Sequence, residues 1–409
     1  MTDTLRPRDG KDVEAAVQGA LSGAKTVEIV GHGSKRAIGR PAQTDLTLDL
    51  SALAGVTLYE PEELVLTARA GTPLAEIEAL IDAKGQQLAF EPMDYGPILG
   101  GLAGRGTIGG ALAANVSGPR RIKAGAARDH FLGFSAVSGR GETFKSGGRV
   151  VKNVTGYDLC KLIAGSWGTL AAVTEATIKV LPRPETEETI VVRGLEPAKA
   201  VAAMTAAMGS SCDVSGAAHL PAGVAAHIPA GEIAGAGVVT ALRLEGFAPS
   251  VAHRRRVLEA AMSPFGDLVT VGEAVSRTLW QAIRDVTPFA AGRTGVERPL
   301  WRISTAPSRG AELAAMIAGR AEAQFLYDWA GGLVWLLLDP SDDAGAALVR
   351  HAVAATGGHA TLIRAPAAVR AAIDVFAPQD AAAAALTKRV KESFDPKGAL
   401  NPGRMWAGV

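Results

Sequence analysis

A glycine-rich stretch of the chain has the residue types needed to hold a flat, charged ligand. It spans residues 106–118 and reads GTIGGALAANVSG. Glycine is conformationally costly, so a cluster of glycines indicates close approach of the backbone to another group, or an unusual φ. The pattern predicts that a helix begins at Ile108, and the N–H groups and dipole of a helix start favour an anion such as a pyrophosphate. The stretch therefore predicts a nucleotide cofactor.

The same stretch imitates the dinucleotide-binding fingerprint. Gly104, Gly106 and Gly109 satisfy G-x-G-x-x-G, and Asp129 follows at a suitable distance. The fingerprint requires a buried strand immediately before the glycines. The preceding residues, EPMDYGPILGGLA, contain two prolines and three glycines, which disfavour a central parallel strand. The sequence therefore argues against a Rossmann unit.

Four further motifs accompany the glycine-rich stretch. GHGSK, at 31–35, follows an apolar strand predicted for 26–30; VKNVTGYDL and GSWGTL lie within 151–182; FDPKGALNPGRM occupies 394–405. Together the five motifs resemble the FAD-binding domain of the vanillyl-alcohol oxidase superfamily, whose flavin domain is called PCMH-type. The tail is similar to that of the branch containing D-lactate dehydrogenase and glycolate oxidase. The resemblance covers most of the chain.

The resemblance implies noncovalent FAD. In relatives with a covalently attached flavin, the histidine of a G-G-H-S loop forms the bond. Here the order is Gly31, His32, Gly33, Ser34, which places glycine at the bonding position. Backbone N–H groups of this turn, with the hydroxyl of Ser34 and the ammonium of Lys35, suit a diphosphate. Taken alone, the loop is more typical of an ordinary glycine turn between strands.

The resemblance also implies a set of cofactor-binding positions. They are Gly31, His32, Gly33, Ser34, Lys35, Pro92, Thr107, Gly109, Gly110, Ala113, Asn115, Gly118, Asn153, Thr155, Gly156, Tyr157, Asp158, Gly165, Gly168, Val173, Asn401 and Arg404. Asn115 is expected to form a hydrogen bond at the polar edge of the ring. Two alternatives to direct cofactor contact stay open. In the first, Tyr157 and Asp158 form a buried pair that supports their loop. In the second, Arg404 lies on the surface instead of beside the flavin ring.

Length and composition limit the class of protein. At 409 residues the chain exceeds the size at which single cores stop growing, which predicts two domains. Its 42 Lys plus Arg nearly balance 41 Asp plus Glu, so charge gives no support for nucleic acid as the main partner. The two cysteines, Cys160 and Cys212, have no C-x-x-C spacing. We therefore expect no metal site, and a buried structural thiol at Cys160.

The predicted elements divide the chain into three segments. Asp9 precedes an apolar helical pattern, Thr72 with Pro73 predicts a second helix start that ends near Gly85, and the breaker-rich LPRPETEE at 181–188 indicates a linker. We predict an α+β fold. A PCMH-type FAD-binding domain of two α/β subdomains spans 1–182, an α+β cap domain for substrate or partner spans 183–385, and a C-terminal tail, 386–409, packs back on the FAD domain.

No segment indicates export or a membrane span. The N-terminus, MTDTLRPRDGKD, lacks the apolar stretch of a signal peptide, and the longest apolar run, 333–338, is too short to cross a bilayer. We expect a cytoplasmic protein, with peripheral attachment to the inner membrane only through a complex.

Candidate catalytic residues are few. Oxidation of a 2-hydroxy acid needs a base for the hydroxyl proton and a cation for the carboxylate. Related D-2-hydroxy acid dehydrogenases carry a histidine-rich H-G-D-G-N-x-H segment in the cap, and this sequence has none. His359 is the best single candidate for the base and Arg302 for the cation. The alternatives are a structural histidine at a strand end and a surface ion pair.

Three functions stay open at this point. The resemblance favours an FAD-binding subunit of a complex that oxidises glycolate to glyoxylate, in which a second FAD-binding subunit carries out the oxidation and an iron–sulfur subunit takes the electrons. The chain alone would then oxidise a small 2-hydroxy acid slowly or not at all. A stand-alone FAD-dependent D-2-hydroxy acid dehydrogenase and an FAD-binding scaffold without redox turnover are the alternatives.

Overall fold

A computed structural model describes residues 3–148, 156–231, 233, 237–292 and 297–409. The chain begins with β1 (Asp3–Leu5), α1 (Gly10–Ser22), β2 (Val27–Val30) and β3 (Leu46–Asp49). The strands form a parallel sheet of order β1-β3-β2. Asp9 starts α1 because its carboxylate accepts the backbone N–H groups of Lys11 and Asp12, each at 2.9 Å. The apolar face of α1, with Val13 and Val17, packs against this sheet.

The N-terminal lobe comprises β1 to β10, and its remaining strands form a five-stranded antiparallel sheet of order β4-β5-β9-β7-β8 and an antiparallel pair of β6 with β10. Its elements are β4 (Val56–Glu60), β5 (Val65–Arg69), α2 (Leu74–Asp82), β6 (Gln86–Gln87), α3 (Ile108–Ala113), α4 (Arg121–Ala124), α5 (Ala127–His130), β7 (Phe131–Ser138), β8 (Thr143–Gly147), α6 (Leu159–Ile163), β9 (Ala171–Lys179) and β10 (Leu181–Pro182). Ala172 of β9 packs in the core that contains α1, while Ala171 and Val173 pack in the core on the other face. Burial of β9 on both faces matches the small and apolar residues that make up most of its sequence, AAVTEATIK.

The start of α2 differs from the sequence prediction. Thr72 was expected to cap this helix, but its hydroxyl donates to the carbonyl oxygen of Arg69 at 2.6 Å. The hydroxyl therefore closes the turn after β5, and the helix begins at Leu74 without a side-chain cap.

The C-terminal lobe is one eight-stranded antiparallel sheet with helices. Its elements are β11 (Thr186–Arg193), α7 (Pro197–Met208), β12 (Gly216–Leu220), α8 (Ala222–Ala225), β13 (Val239–Gly246), α9 (Ala248–Met262), β14 (Leu268–Val271), α10 (Glu273–Arg284), β15 (Leu300–Ser304), α11 (Gly310–Ala318), β16 (Ala323–Asp328), β17 (Leu333–Leu338), α12 (Ala346–Thr356), β18 (His359–Arg364) and α13 (Ala367–Ala372). The strand order is β14-β11-β13-β12-β16-β17-β15-β18. Each half has a β-α-β-β-α-β order, with the short α8 inserted between the two middle strands of the first half. The halves meet where His219 pairs with Tyr327.

The two lobes share a core and a buried charge network. One face of the large sheet packs on α7, α9, α11 and α12, and the other face joins residues of the N-terminal lobe in a continuous apolar core. Beside this core, Arg243 donates to both carboxylate oxygens of Glu91 at 2.9 and 3.0 Å. Arg120 donates to Glu245 at 2.7 and 3.0 Å. Burial opposes ionisation of Glu245, yet Arg243 and Arg120 lower the pKa of its carboxyl to about 2. The network fixes one lobe against the other.

The tail returns to the first sheet. After α14 (Ala381–Phe394), the backbone N–H of Val27 donates to Ala399 at 2.8 Å. The buried ammonium of Lys391 donates to Asp395 at 2.7 Å and to the carbonyl oxygens of Thr169 and Leu400 at 2.6 and 2.8 Å. Lys391 thus joins the tail to the segment that leads into β9. Among the described residues, no helix combines the length and apolarity that a bilayer span requires.

Candidate functional site

A cleft in the N-terminal lobe lies between the loop after β2 and the start of α3. Four of the sequence motifs contribute to its lining, and Arg404 of the tail closes one side. Among the predicted positions, the lining contains Gly31, His32, Gly33, Ser34, Lys35, Thr107, Gly109, Gly110, Ala113, Gly168, Val173 and Arg404. Segments far apart in sequence therefore meet at one surface.

Two glycines are required for these segments to approach each other. A Cβ atom on Gly31 would lie 2.8 Å from the hydroxyl oxygen of Thr107, and a Cβ on Gly109 would lie 2.8 Å from the carbonyl oxygen of Ala70. Both distances are too short for a real Cβ. The same Thr107 hydroxyl accepts the N–H of Gly110 at 3.2 Å and so caps α3. The close approach leaves backbone, not side chains, facing the cleft.

The charge in the cleft is positive. Burial lowers the pKa of the Lys35 ammonium to about 8, Asp94 opposes this change and Arg404 adds to it. Among the described residues, the only hydrogen bond of this ammonium is a long one, 3.3 Å, to the hydroxyl of Ser34, and no carboxylate lies within ion-pair distance. A partly buried cation without a paired carboxylate favours an anionic ligand. The position of Lys35 beside Gly110 puts that charge at the start of α3.

Asn401 and Arg404 hold the cleft together through backbone contacts. The side-chain oxygen of Asn401 accepts the N–H of Ile29 at 2.8 Å, and its amide donates to the carbonyl oxygen of Trp167 at 2.7 Å. Arg404 donates to the carbonyl oxygen of Lys35 at 2.9 Å. The alternative of a surface position for Arg404 is wrong, because its side chain is buried and lies over the ring of Trp167. Trp167 lines the cleft, and no sequence motif singled it out.

Several predicted positions lie away from the cleft lining. Pro92, Asn115, Gly118, Gly156, Tyr157, Asp158 and Gly165 are not part of it, while Asn153 and Thr155 fall outside the described residues. A Cβ on Gly118 would meet the carbonyl oxygen of Glu91 at 2.4 Å and the side chain of Arg284, in the C-terminal lobe, at 3.0 Å, so this glycine serves the contact between lobes. The side-chain oxygen of Asn115 accepts the N–H of Arg128 at 3.1 Å. The alternative of a buried Tyr157–Asp158 pair is wrong, because Tyr157 is 93% exposed.

The two candidate catalytic residues lie on neighbouring strands. Arg302 pairs with Thr361, and Ser304 pairs with His359, so all four side chains point to the same face of the sheet. Trp335, which pairs with Arg302, belongs to the core shared with the N-terminal lobe, so this face is the one that meets that lobe. Sequence reasoning weighed Arg302 and His359 separately, and strand pairing brings them together.

The electrostatic surroundings of this pair are also positive. His359 is exposed at the start of β18, and the partial loss of solvent around its ring, with the guanidinium groups of Arg302, Arg121 and Arg350, lowers its pKa. Burial lowers the pKa of Arg302, against the influence of Tyr95 and Asp328. The alternative of a surface ion pair for Arg302 is wrong, since no carboxylate among the described residues is within 4 Å of its guanidinium. The described residues contain no cluster of three side chains able to hold a metal ion.

The expectation of a buried thiol at Cys160 is confirmed. Cys160 and Cys212 are both buried and unpaired. Burial raises the pKa of the Cys160 thiol most, and the nearby carboxylate of Asp158 raises it further, to about 11. The thiol is therefore protonated at neutral pH and packs as an apolar side chain.

Comparison with known proteins identifies the N-terminal region. Residues 4–147 match the family model described as an FAD binding domain, which confirms the FAD prediction. The chain is 34% identical over 392 residues to glycolate oxidase subunit GlcE of Escherichia coli (strain K12), covering 96% of this chain and 95% of that protein. It is 33% identical over 150 residues to glycolate oxidase subunit GlcD of Bacillus subtilis (strain 168), covering 37% of this chain and 30% of that protein.

The fold resembles solved structures at low sequence identity. The crystal structure of p-cresol methylhydroxylase with substrate bound superposes with a TM-score of 0.69 at 13% identity, covering 98% of this chain and 88% of that chain. The α+β fold of the PCMH type, expected from the sequence motifs, is therefore confirmed.

Proposed function

Because the chain belongs to the family of glycolate oxidase subunit GlcE and carries an FAD-binding domain, we propose that it is the FAD-binding subunit of a complex that oxidises glycolate to glyoxylate. The match over 96% of the chain carries this proposal. The cleft supports it, because backbone N–H groups, small residues and the ammonium of Lys35 meet there, and a nucleotide cofactor needs all three.

The residues of the cleft fit FAD. The backbone N–H groups of the loop from Gly31 to Lys35 and of the start of α3 would hold the pyrophosphate, with the ammonium of Lys35 as counter-charge. Gly110 and Ala113 leave space for the ring system along α3. Glycine occupies the place at which relatives form a covalent bond, so the cofactor is held noncovalently. Bound FAD would accept a hydride and release electrons to the next carrier.

The positioning residues act through the backbone of the cleft. Asn401 and Arg404 hold the loop after β2 in place, and the tail carries them there from the far end of the chain. Loss of the tail would therefore weaken FAD binding in two ways, because it frees the loop after β2 and removes Arg404 from the lining of the cleft.

The electron path leads to partner subunits. A cluster needs about four thiolates, and this chain has two cysteines, both buried. We therefore assign onward transfer to an iron–sulfur subunit, and the oxidation of glycolate in the complex to a second FAD-binding subunit. The complex would work in the cytoplasm or at the inner face of the membrane.

A stand-alone D-2-hydroxy acid dehydrogenase is the second candidate, and one observation favours it. Arg302 and His359 lie on one sheet face toward the N-terminal lobe. The lowered pKa keeps the imidazole of His359 neutral, which is the form that accepts a hydroxyl proton. Turnover by the isolated chain that is lost in His359→Ala would establish this candidate.

The FAD assignment is tested with Gly110→Leu. A Cβ at this position lies 3.1 Å from the hydroxyl oxygen of Thr107 and 3.4 Å from the nitrogen of Lys35, so the leucine side chain fills space in the cleft that is proposed for the cofactor. The purified wild type should carry FAD that acid releases completely, and the variant should carry none while its circular dichroism is unchanged. Gly19→Leu, an exposed helical glycine with no atom within 4 Å of a Cβ, is the matched control. A folded wild type that neither contains nor binds FAD would contradict the assignment.

The complex is tested by co-expression with a GlcD-type subunit and a cysteine-rich iron–sulfur subunit. Size-exclusion chromatography should show one complex, and glycolate-dependent reduction of an artificial acceptor should require all three chains. If this chain elutes alone and its deletion leaves the activity unchanged, the subunit assignment is wrong.

A further inference from the structure

A cavity of about 660 Å³ opens in the helix layer of the C-terminal lobe, above the seam of the large sheet. At this seam β12 and β16 share one residue pair, His219 with Tyr327, whereas β12 and β13 share five. Tyr327 packs in the core below α11 and α12, while its neighbour Leu326 faces the core shared with the N-terminal lobe. The cavity therefore lies on the face of the sheet that points away from that lobe.

Small residues keep the cavity open. Apart from Glu312, every residue of α11 that lines it is alanine, at positions 311, 314, 315 and 318, which share one helix face. The facing wall is the first turn of α7, with Pro197, Ala198 and Val201. Because these side chains are short, none of them reaches across the gap between the two helices.

The floor of the cavity is aromatic. It consists of His219, Phe325 and Tyr327, which stand on the two strands of the seam. The ring centroids of Phe325 and Tyr327 are 6.2 Å apart in a stacked arrangement, and those of His219 and Tyr327 are 5.4 Å apart. An apolar space of this volume with an aromatic floor has the size and lining of a small-molecule site, and it suits a ring.

Two polar groups of the floor have no partner within the described part of the chain. His219 is only 1% exposed, and its Nε2 atom is buried without a hydrogen bond. Its Nδ1 atom lies 2.9 Å from the hydroxyl of Thr240. That hydroxyl has no other acceptor among the described residues, so it donates to Nδ1 and Nε2 carries the proton. The hydroxyl of Tyr327 is the second group, and burial alone raises its pKa. Donors left unpaired in an interior are costly.

The charges around the cavity disfavour an ionic ligand. Burial lowers the pKa of the His219 imidazole to about 4, so this ring is neutral at neutral pH. Neither lysine nor arginine belongs to the described lining, whose charged residues are the exposed Glu196 and Glu312. An anion would lose its hydration here and find no cation in the lining.

We propose that this cavity is a binding site for a small, uncharged ring compound that carries a carbonyl oxygen. The carbonyl oxygen accepts a hydrogen bond from Nε2 of His219, the hydroxyl of Tyr327 is the second polar contact, and the ring lies against Phe325 between the walls formed by α7 and α11. The site is separate from the FAD cleft, because the large sheet stands between the cavity and the N-terminal lobe. The proposal therefore does not depend on the proposed function.

Calorimetric titration of the holoprotein with coumarin, an uncharged flat ring with a carbonyl group, tests the site. Coumarin-3-carboxylate is the matched anion. The wild type should bind coumarin saturably and the anion at least about tenfold more weakly. Ala315→Trp, at an exposed position of the α11 wall, should fill the cavity and abolish coumarin binding. Ala206→Trp, at an exposed position of α7 outside the lining, should bind coumarin as the wild type does.

A double variant tests the hydrogen bond. His219→Phe combined with Thr240→Val replaces both partners by apolar groups of similar shape, so the midpoint of thermal unfolding should stay at that of the wild type or above it. Coumarin affinity should fall about three- to tenfold, because one neutral hydrogen bond is lost. Absence of saturable binding, unchanged affinity in Ala315→Trp, or unchanged affinity in the double variant would overturn the proposal. A change in flavin absorbance on addition of coumarin would place the ligand at the FAD cleft and would overturn it as well.

Discussion

Lys35→Met should make the cofactor-free protein more stable and the FAD complex weaker. Burial lowers the pKa of the Lys35 ammonium from its ordinary value of 10.5 to about 8. This difference corresponds to at most about 3 kcal/mol of unfavourable free energy in the folded, cofactor-free protein at neutral pH. Methionine has a similar length and no charge, so it removes this penalty. The gain in free energy of unfolding should approach the same figure.

The sign of the pH dependence provides an internal check. The folded protein releases the Lys35 proton near pH 8, and the unfolded chain releases it near its ordinary value of 10.5. Below pH 8 both states carry the charge, and the penalty is complete. Between these values the unfolded state binds more protons, so the stability contributed by this group rises with pH. The advantage of Lys35→Met should therefore be largest at pH 7 and should vanish near pH 10.5.

The expected loss of FAD affinity in Lys35→Met follows from the proposed contact between Lys35 and the pyrophosphate. Loss of one charge-assisted hydrogen bond weakens binding by about 1.5–3 kcal/mol, or about ten- to hundredfold in Kd. Denaturant unfolding of the cofactor-free protein and fluorescence titration with FAD measure the two effects, with Lys84→Met at an exposed position as the control. A variant that loses stability, or that binds FAD as tightly as the wild type, would refute the reasoning about Lys35.

Three other substitutions test the remaining contacts. Gly31→Ala puts a Cβ 2.8 Å from the Thr107 hydroxyl. The affinity for FAD should therefore fall at least about tenfold in titration, with little change in circular dichroism. Unchanged affinity would show that the loop after β2 can move to accommodate the Cβ. Asp395→Asn removes the carboxylate beside the buried Lys391 ammonium. Denaturant unfolding should show a free energy of unfolding lower by about 3–5 kcal/mol. A loss under about 1 kcal/mol would count against a stabilising contact between Lys391 and the tail. Glu91→Gln leaves Arg243 without its bidentate partner and should lower the free energy of unfolding by a similar amount, about 3–5 kcal/mol. Limited proteolysis between the lobes should then be faster than in the wild type. An unchanged rate would contradict the proposal that this network fixes the lobes.

Many of the residues that line the cleft could be predicted from the sequence, because the glycines among them leave a local signal. Gly31 and Gly109 stand where any Cβ would overlap a neighbouring segment, and motifs of this kind can be recognised without knowledge of the strands between them. Gly118 gave the same signal for a different reason. Its missing Cβ accommodates Glu91 at the contact between lobes, so a glycine motif indicates close approach and does not identify what approaches.

The tail contact of Lys391 and the meeting of Arg302 with His359 left weaker signals in the sequence. Lys391 reads as an exposed residue of a polar helix, and only the folded chain shows that Asp395 and two carbonyl oxygens surround it. Arg302 and His359 meet through the pairing of β15 with β18, and Arg121 meets them only across the lobes. Long-range strand pairing and lobe docking are not encoded in local spacing, so these residues were considered singly or not at all.

The pairing of buried cations distinguishes structural from functional charge in this protein. Arg243 and Lys391 are nine-tenths buried or more and each has a carboxylate within 3.0 Å, as a stable interior requires. Lys35, Arg121 and Arg302 have none within 4 Å among the described residues, and burial lowers the pKa of all three. Folding alone gives no reason to keep such charges, because methionine or glutamine would fill the same space at lower free energy. An anion that neutralises Lys35 does, which is why the affinity of the Lys35 variant for FAD is the decisive measurement.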